Sequence, residues 1–324
     1  MKIDTLSFVQ HLLQNQGQSP AIFHPHAPVL VPAIIAAVSD PFYKISSEAL
    51  LVLESLVKIL RPFHSDSKFD FKPYTGNVYQ CCFARLKASD IDQEVKERAI
   101  SCMGYIVAHL GDHLKTELPN CLPIFLDRLK NEITRLTAVK ALICIARSEL
   151  KIDLKPILAD SMPILASFLR KNQRTLKLNS LNLLDTLVQK YAAQITGKAL
   201  EPVLLELQPL LNDSDLHIAQ FTMNLLTSVA KLHPASLPTV QKTCLTQIFQ
   251  LSQSSVIQVR SEKMSSIIWT FVRFSTSTIY IFLSILPNSK ICQFLSTHMT
   301  LTISSSFGDF DEFIVLQFCY FVWI

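Results

Sequence analysis

Apolar residues along this chain fall into blocks that repeat. In DIDQEVKERAISCMGYIVAHLG, residues 90–111, Val95, Ala99, Cys102 and Ile106 are spaced four, three and four apart. On a helix of 3.6 residues per turn that spacing makes one apolar stripe, with Lys96, Glu97 and Arg98 facing outward. Asp90 or Asp92 stands where the free N–H groups of the first turn need an acceptor, and Gly111 stands where the helix would close. The same block recurs from Asp40 (Ile45, Ala49, Val52, Leu56), Asn131 (Leu136, Val139, Ile143, Ala146), Asn172 (Leu176, Ser180, Leu183, Leu187) and Asp213 (Ile218, Phe221, Leu225, Ser228).

The first two starts are 50 residues apart and each later interval is 41. Helical HEAT and armadillo units repeat about every 40–47 residues. The longer first interval contains HSDSKFDFKPYTGN, which reads as a loop between repeats. A second helix precedes most blocks: PVLVPAIIAAVSD, LPNCLPIFLDRLKN, PILADSMPILASFLRKN and EPVLLELQPLLNDSD. Each has proline near its start, where the missing N–H costs little, and some have a second that could kink it. No unit can bury its stripe alone, so the units must stack. The expected fold is all-α, an α-solenoid of about five to six HEAT/armadillo-like repeats over residues 1–262.

Residues 263–324 break the pattern. From Met264 to Ile324 there are five charged residues and thirteen aromatics, and no acidic-start amphipathic helix recurs. IIWTFVRFSTSTIYIFLSIL approaches a membrane span of about 20 residues, yet holds Arg273 and six Ser or Thr, and its β-branched, aromatic bias reads equally as strand. The preferred reading is a mispredicted or disordered tail that carries no function, and membrane contact is not expected.

Composition narrows the classes. Glycine is scarce (6) against 16 prolines, which disfavours phosphate-cradling loops and suits helices punctuated by proline. A formal charge of +4 is small for 324 residues and implies no nucleic-acid partner by itself. The 8 cysteines form no C-x-x-C pair, so buried free thiols in a reducing compartment are expected. The N-terminus lacks the apolar run of a secretory signal, which places the chain in cytoplasm and nucleus.

Catalytic motifs are missing: no G-x-S-x-G, no G-x-G-x-x-G, no Walker A loop and no H-E-x-x-H. His24 and His26 form an H-x-H pair with no cysteine or carboxylate cluster nearby, so neither a metal nor another cofactor is expected. His109 and His113 are read as a surface turn around Gly111. Of the adjacent Cys81 and Cys82, at most one can pack fully inward on a helix, and no charged activator adjoins them. The chain is read as a non-enzyme. RLKNEITR and FLRKNQRTLK place Arg128, Lys130, Arg135, Arg170, Lys171, Arg174 and Lys177 at or near the turns within repeats. Stacked in register, these would form a basic ridge suited to an acidic protein surface rather than to nucleic acid, because no aromatics interleave.

FHPH, DPFYKISSEALLV, LVKILRP, DIDQEVKERAISCMG, RLKNEITRLTAVKAL, ILASFLRKNQRTLKL and SDLHIAQ resemble the cullin-associated and neddylation-dissociated protein family, in order, from about Phe23 to about Ser254. The resemblance implies a middle portion of a long all-HEAT solenoid. Such solenoids wrap the scaffold of a cullin–RING ubiquitin ligase lacking its ubiquitin-like modifier and oppose binding of substrate-receptor modules, without catalytic residues. It also implies a monomer outside that complex. The alternative is a generic HEAT-repeat adaptor of the transport-receptor or phosphatase-scaffold type.

Overall fold

The computed structural model describes residues 1–14, 19–62, 68–211 and 215–253, which are helical with short connections. The helices are α1 (Lys2–Gln14), α2 (Ala27–Val38), α3 (Tyr43–Leu60), α4 (Lys72–Lys87), α5 (Gln93–Leu110), α6 (Leu118–Lys130), α7 (Arg135–Arg147), α8 (Lys155–Leu169), α9 (Arg174–Tyr191), α10 (Gly197–Leu205), α11 (Gln208–Leu211), α12 (Leu216–Leu232) and α13 (Leu237–Gln253). They form an α-solenoid of two layers. One layer, A, runs through α2, α4, α6, α8, the broken pair α10–α11, and α13; the other, B, runs through α1, α3, α5, α7, α9 and α12. Five complete A–B pairs therefore stack, flanked by a single helix on either side. Packing along the stack is closest in the B layer.

The turns of the first, second, third and fifth repeats are built by one device. Asp40 Oδ1 accepts from Phe42 N (2.9 Å), Asp92 from Glu94 N (2.8 Å), Asn131 from Ile133 N (3.0 Å) and Asp215 from His217 N (3.0 Å). A short side-chain acceptor two residues back closes the chain reversal and satisfies an N–H at the B-helix start. This is the physical content of the starts at Asp40 and Asn131; Asp92 and Asp215 take the part in the second and fifth repeats, and Gln173, at the N-cap of α9, makes no side-chain cap bond. The start at Asp213 lies outside the described residues, as does the tail.

Proline shapes the A layer. Pro32, Pro123, Pro163 and Pro202 each sit inside an A helix. A mid-helix proline frees the carbonyl four residues earlier, which is tolerable where that side of the helix meets water. In the fifth repeat Pro209 adds a second break: its ring opposes the Leu205 carbonyl, and α10 ends there. The stretch Pro20–Val38 is long and apolar enough to cross a membrane by composition. In the fold it makes two 3-10 turns and then α2, whose Ala27, Val31, Ile34 and Val38 are buried.

Two expectations need correction and one holds. Residues 72–77, read as loop, open α4 with Pro73 in its first turn; proline and glycine there are compatible with a helix start. Gly111 caps α5 as expected, in right-handed conformation (φ −63°), with its Cα side facing Ile152 Cδ1 of the next repeat. Finally, the B helices bury far more than one stripe. In α3, Ser46, Ala49, Leu50, Val52, Leu53, Leu56, Val57 and Leu60 are all buried, because α3, like α5, α7 and α9, is covered by its A partner and by B helices on both sides.

Bonds one repeat apart in sequence tie the stack together. Ser148 Oγ donates to the Ala108 carbonyl (2.5 Å) and Tyr191 OH to that of Ile152 (2.8 Å). Arg61 clamps Asp112 through both terminal nitrogens (2.5 and 2.9 Å) and also reaches the His109 carbonyl (3.0 Å), while His109 Nδ1 meets the Arg61 carbonyl (2.9 Å).

Candidate functional site

The seven basic residues expected to form a ridge are brought to the turns of the third and fourth repeats, but they are not equivalent. Arg128, half-buried in α6, donates to the Leu86 carbonyl at the C-terminal end of α4 (2.8 Å). Arg135 binds Glu132 (2.8 Å) and lies over the Phe168 ring, 5.8 Å from its centroid, with Nε buried and unpartnered. Arg170 pairs with Glu206 of the next repeat (3.5 Å), and Arg174 with Asp215. The Arg174 guanidinium in turn holds the Asp215 carboxyl below the usual carboxylate range. Lys177 is half-buried on α9. Lys130, loosely paired with Asp127 (3.8 Å), Arg170 and Lys171 are the charges that stand most open. Much of the ridge is thus occupied in holding neighbouring repeats together. Exposed apolar side chains share the same turns: Phe42 and Tyr43 in the first repeat, edge to face at 5.5 Å, and Ile133 in the third, 64% exposed.

A second surface is the side of the B layer turned away from the A helices. On α3 and α5, Glu54 accepts from Lys58 Nζ (3.0 Å) and from Ser101 Oγ (2.9 Å), and Lys58 lies 3.8 Å over the Tyr105 ring. Farther along, Arg147 of α7 donates to Asn182 Oδ1 of α9 (2.7 Å). Asp185 of α9 accepts from Ser228 Oγ of α12 (2.6 Å), with Gln189 bonded to both (3.0 and 3.2 Å). Lys140 and Arg147, Asn182 and Asp185, and Asn224, Ser228 and Lys231 each recur at three-, four- or seven-residue steps, so each set shares a helix face. Sequence reasoning missed this row because its members lie on different repeats; the available signal was polar residues recurring beside each apolar stripe.

A family model described as CAND1-like, TPR repeats, matches residues 1–103. Cullin-associated NEDD8-dissociated protein 1 of Drosophila melanogaster is 50% identical over 261 residues, covering 80% of this chain and 21% of that protein. Cullin-associated NEDD8-dissociated protein 2 of Rattus norvegicus is 49% identical over 258 residues, covering 79% and 20%. The chain is similar to a segment of the cullin-associated NEDD8-dissociated proteins. It spans about one fifth of the length of those relatives. Among solved structures, a designed armadillo repeat protein in complex with the peptide (KR)4 superimposes with a TM-score of 0.60 at 16% identity, over 74% of this chain and 99% of that one. A second designed armadillo repeat protein gives 0.58 at 16%, with the same coverage. These shared folds carry the solenoid architecture only.

Elsewhere in the chain, thiols and imidazoles serve the packing. Cys82, Cys102, Cys121 and Cys244 are buried, and Cys81 and Cys144 partly so; all six are free. Burial pushes the thiols of Cys81 and Cys121 up to about 12 and that of Cys144 to about 11, so thiolate is scarce at neutral pH. The two histidines of FHPH separate: His24 is buried, with Nε2 2.9 Å from the Ile59 carbonyl and its ring stacked 4.2 Å from Phe69, whereas His26 is exposed. His109, expected in a surface turn with His113, is instead buried at the end of α5, and burial lowers its pKa. Its partner, the Arg61 carbonyl, comes from the preceding repeat, which a local reading does not include.

Proposed function

We propose that this chain is a segment of a protein-binding scaffold that engages an unmodified cullin–RING ubiquitin ligase and thereby regulates the loading of substrate-receptor modules. The observation that carries the reading is the 50% identity over 261 residues with a protein named cullin-associated and NEDD8-dissociated. Stacked repeats support it, because they offer extended surface without a catalytic constellation. Binding competition is the mechanism. Occupancy of the cullin by the solenoid lowers its affinity for receptor modules, and by reciprocity receptor modules lower its affinity for the solenoid.

In this reading the turn edge is a contact surface. Lys130, Arg170 and Lys171 are its most open charges, and Arg128, Arg135, Arg174 and Lys177 hold the turns that present them. The partner is protein, the chain is a monomer outside the complex, and it works in cytoplasm and nucleus without a cofactor. The test is capture of cullin–RING complexes by the full chain, comparing unmodified with modified cullin. Retention of the unmodified form alone is the expected result. Retention of neither, by a helical and monodisperse sample, would leave a generic HEAT-repeat adaptor as the reading to pursue.

A further inference from the structure

Charge is distributed unevenly along the B layer. Helices α3 and α5 each carry two basic residues and two acidic ones: Lys44, Lys58, Glu48 and Glu54, then Lys96, Arg98, Glu94 and Glu97. In α7, Arg135, Lys140 and Arg147 face no acid of their own helix, and α12 has Lys231 alone. Helix α9 sets Arg174, Lys177 and Lys190 against Asp185. Arg135 and Arg174 are spoken for by Glu132 and Asp215. Asp185 is bonded to Ser228 and Gln189. Lys140, Arg147, Lys190 and Lys231 remain as exposed cations on three successive helices.

We propose that the open face of α7, α9 and α12 is a docking surface for an acidic protein segment. The proposal deepens the scaffold reading above and rests on it. Charge complementarity selects the occupant: successive cations with one engaged carboxylate between them attract a chain of opposite sign and repel a basic one. The face is also ordered before a partner arrives. Arg147 is held by Asn182 (2.7 Å), and Lys190 Nζ by the Arg147 carbonyl (2.7 Å), so less side-chain freedom is lost on binding. Asn182 receives Arg147 through its oxygen and keeps amide N–H donors for a carboxylate. Nucleic acid is the poorer fit, because Phe221 is the one aromatic among the half-exposed residues of these three helices and no row of rings is available for stacking.

The experiment uses the full chain and fluorescence anisotropy of a labelled alternating Glu–Ala hexadecapeptide, compared with its Lys–Ala counterpart and a single-stranded thymidine oligonucleotide. The Glu–Ala peptide should bind, weaken as salt rises, and bind at least about tenfold more weakly to K140E/K231E. Reversal of Lys115, exposed between α5 and α6, and Lys155, exposed at the start of α8, should leave binding unchanged. If K140E/K231E melts lower by circular dichroism, K140Q/K231Q gives the same comparison without new charge. No binding of the Glu–Ala peptide, equal loss in both reversal pairs, or equal capture of the oligonucleotide would overturn the proposal. Cullin retention is scored separately. A chain that retains cullin but ignores the peptide overturns this face and leaves the scaffold reading intact. A chain that binds the peptide but retains no cullin does the reverse.

Discussion

Arg128 Nη2 donates to the carbonyl oxygen of Leu86 at 2.8 Å, and one repeat earlier Arg85 Nε donates to that of Val38 at 2.9 Å. The two bonds are the same bond translated along the stack. Each places a guanidinium on the last carbonyls of the preceding A helix, which have no partner within their own helix and where its dipole is negative. Replacing Arg128 by Met should therefore cost stability, about 1–3 kcal/mol, since a partly buried carbonyl loses a charged donor. Chemical denaturation checks this, with the slope against denaturant expected to stay constant. A stability unchanged by R128M would return Arg128 to the free ridge.

Two glycines should respond in opposite directions to the same change. A Cβ on Gly104 would lie 2.9 Å from Ala141 Cβ and 3.1 Å from its Cα, so α5 and α7 approach closely because that side chain is absent. Gly104→Ala must push the second and third repeats apart and should destabilise by about 1–3 kcal/mol. Gly76, exposed on α4, has nothing within 4 Å of the added atom. Gly76→Ala should stabilise by about 0.5–1 kcal/mol through helix propensity alone. Melting curves of the two variants decide both.

The repeat itself was legible because a stack of like units forces one apolar period and one turn chemistry on every block. Val95, Ala99, Cys102 and Ile106 are all buried as the spacing predicts. Ile45, Leu136 and Phe221, predicted on the same stripe in other blocks, stay half-exposed. What sequence could not disclose depends on contacts one repeat away. Arg128 looks like a surface charge until α4 is laid beside α6, and His109 looks like a turn residue until Arg61 caps it. The start of α4 was hidden by Pro73 and Gly76, which signal loop in isolation and are harmless in and after a first helical turn. For the candidate surface, the basic residues were visible as a composition, whereas their division into bracing and open charges follows from partners about 41 positions distant, such as Arg174 and Asp215.

Thiol chemistry should separate folded from unfolded chain. With their thiols pushed up to about 12, 12 and 11, Cys81, Cys121 and Cys144 expose little thiolate at pH 8. Iodoacetamide labelling followed by peptide mapping should show these sites slow in native buffer and fast in urea, where ordinary thiol values near 8.5 return. Rapid native labelling of Cys121 would contradict the packing described for α6.

Acid should loosen the junction of the first two repeats. His109 is buried at the end of α5, and its pKa is lowered first by that burial and further by the cations of Lys58 and Arg61, against the opposing bond to the Arg61 carbonyl. A depressed folded-state value means that the unfolded chain binds the proton more readily. Stability from a neutral His109 is therefore fully present above the unfolded value near 6.5 and declines as pH falls through the folded value. Asp112 acts in a lower window with the same sign. Partial burial would raise its pKa, but the Arg61 guanidinium prevails and holds it below the ordinary carboxylate range, so its contribution declines only as the carboxylate protonates. Melting temperature should thus fall between pH 7 and pH 5, and His109→Gln should flatten that dependence while leaving the lower window in place. Asp112→Asn should do the reverse. If His109→Gln melts with the same pH profile as the parent chain, the imidazole is not the group that titrates. His233, whose pKa is also lowered by burial, would then be the next substitution, and its effect would report on the fifth repeat instead of the first two.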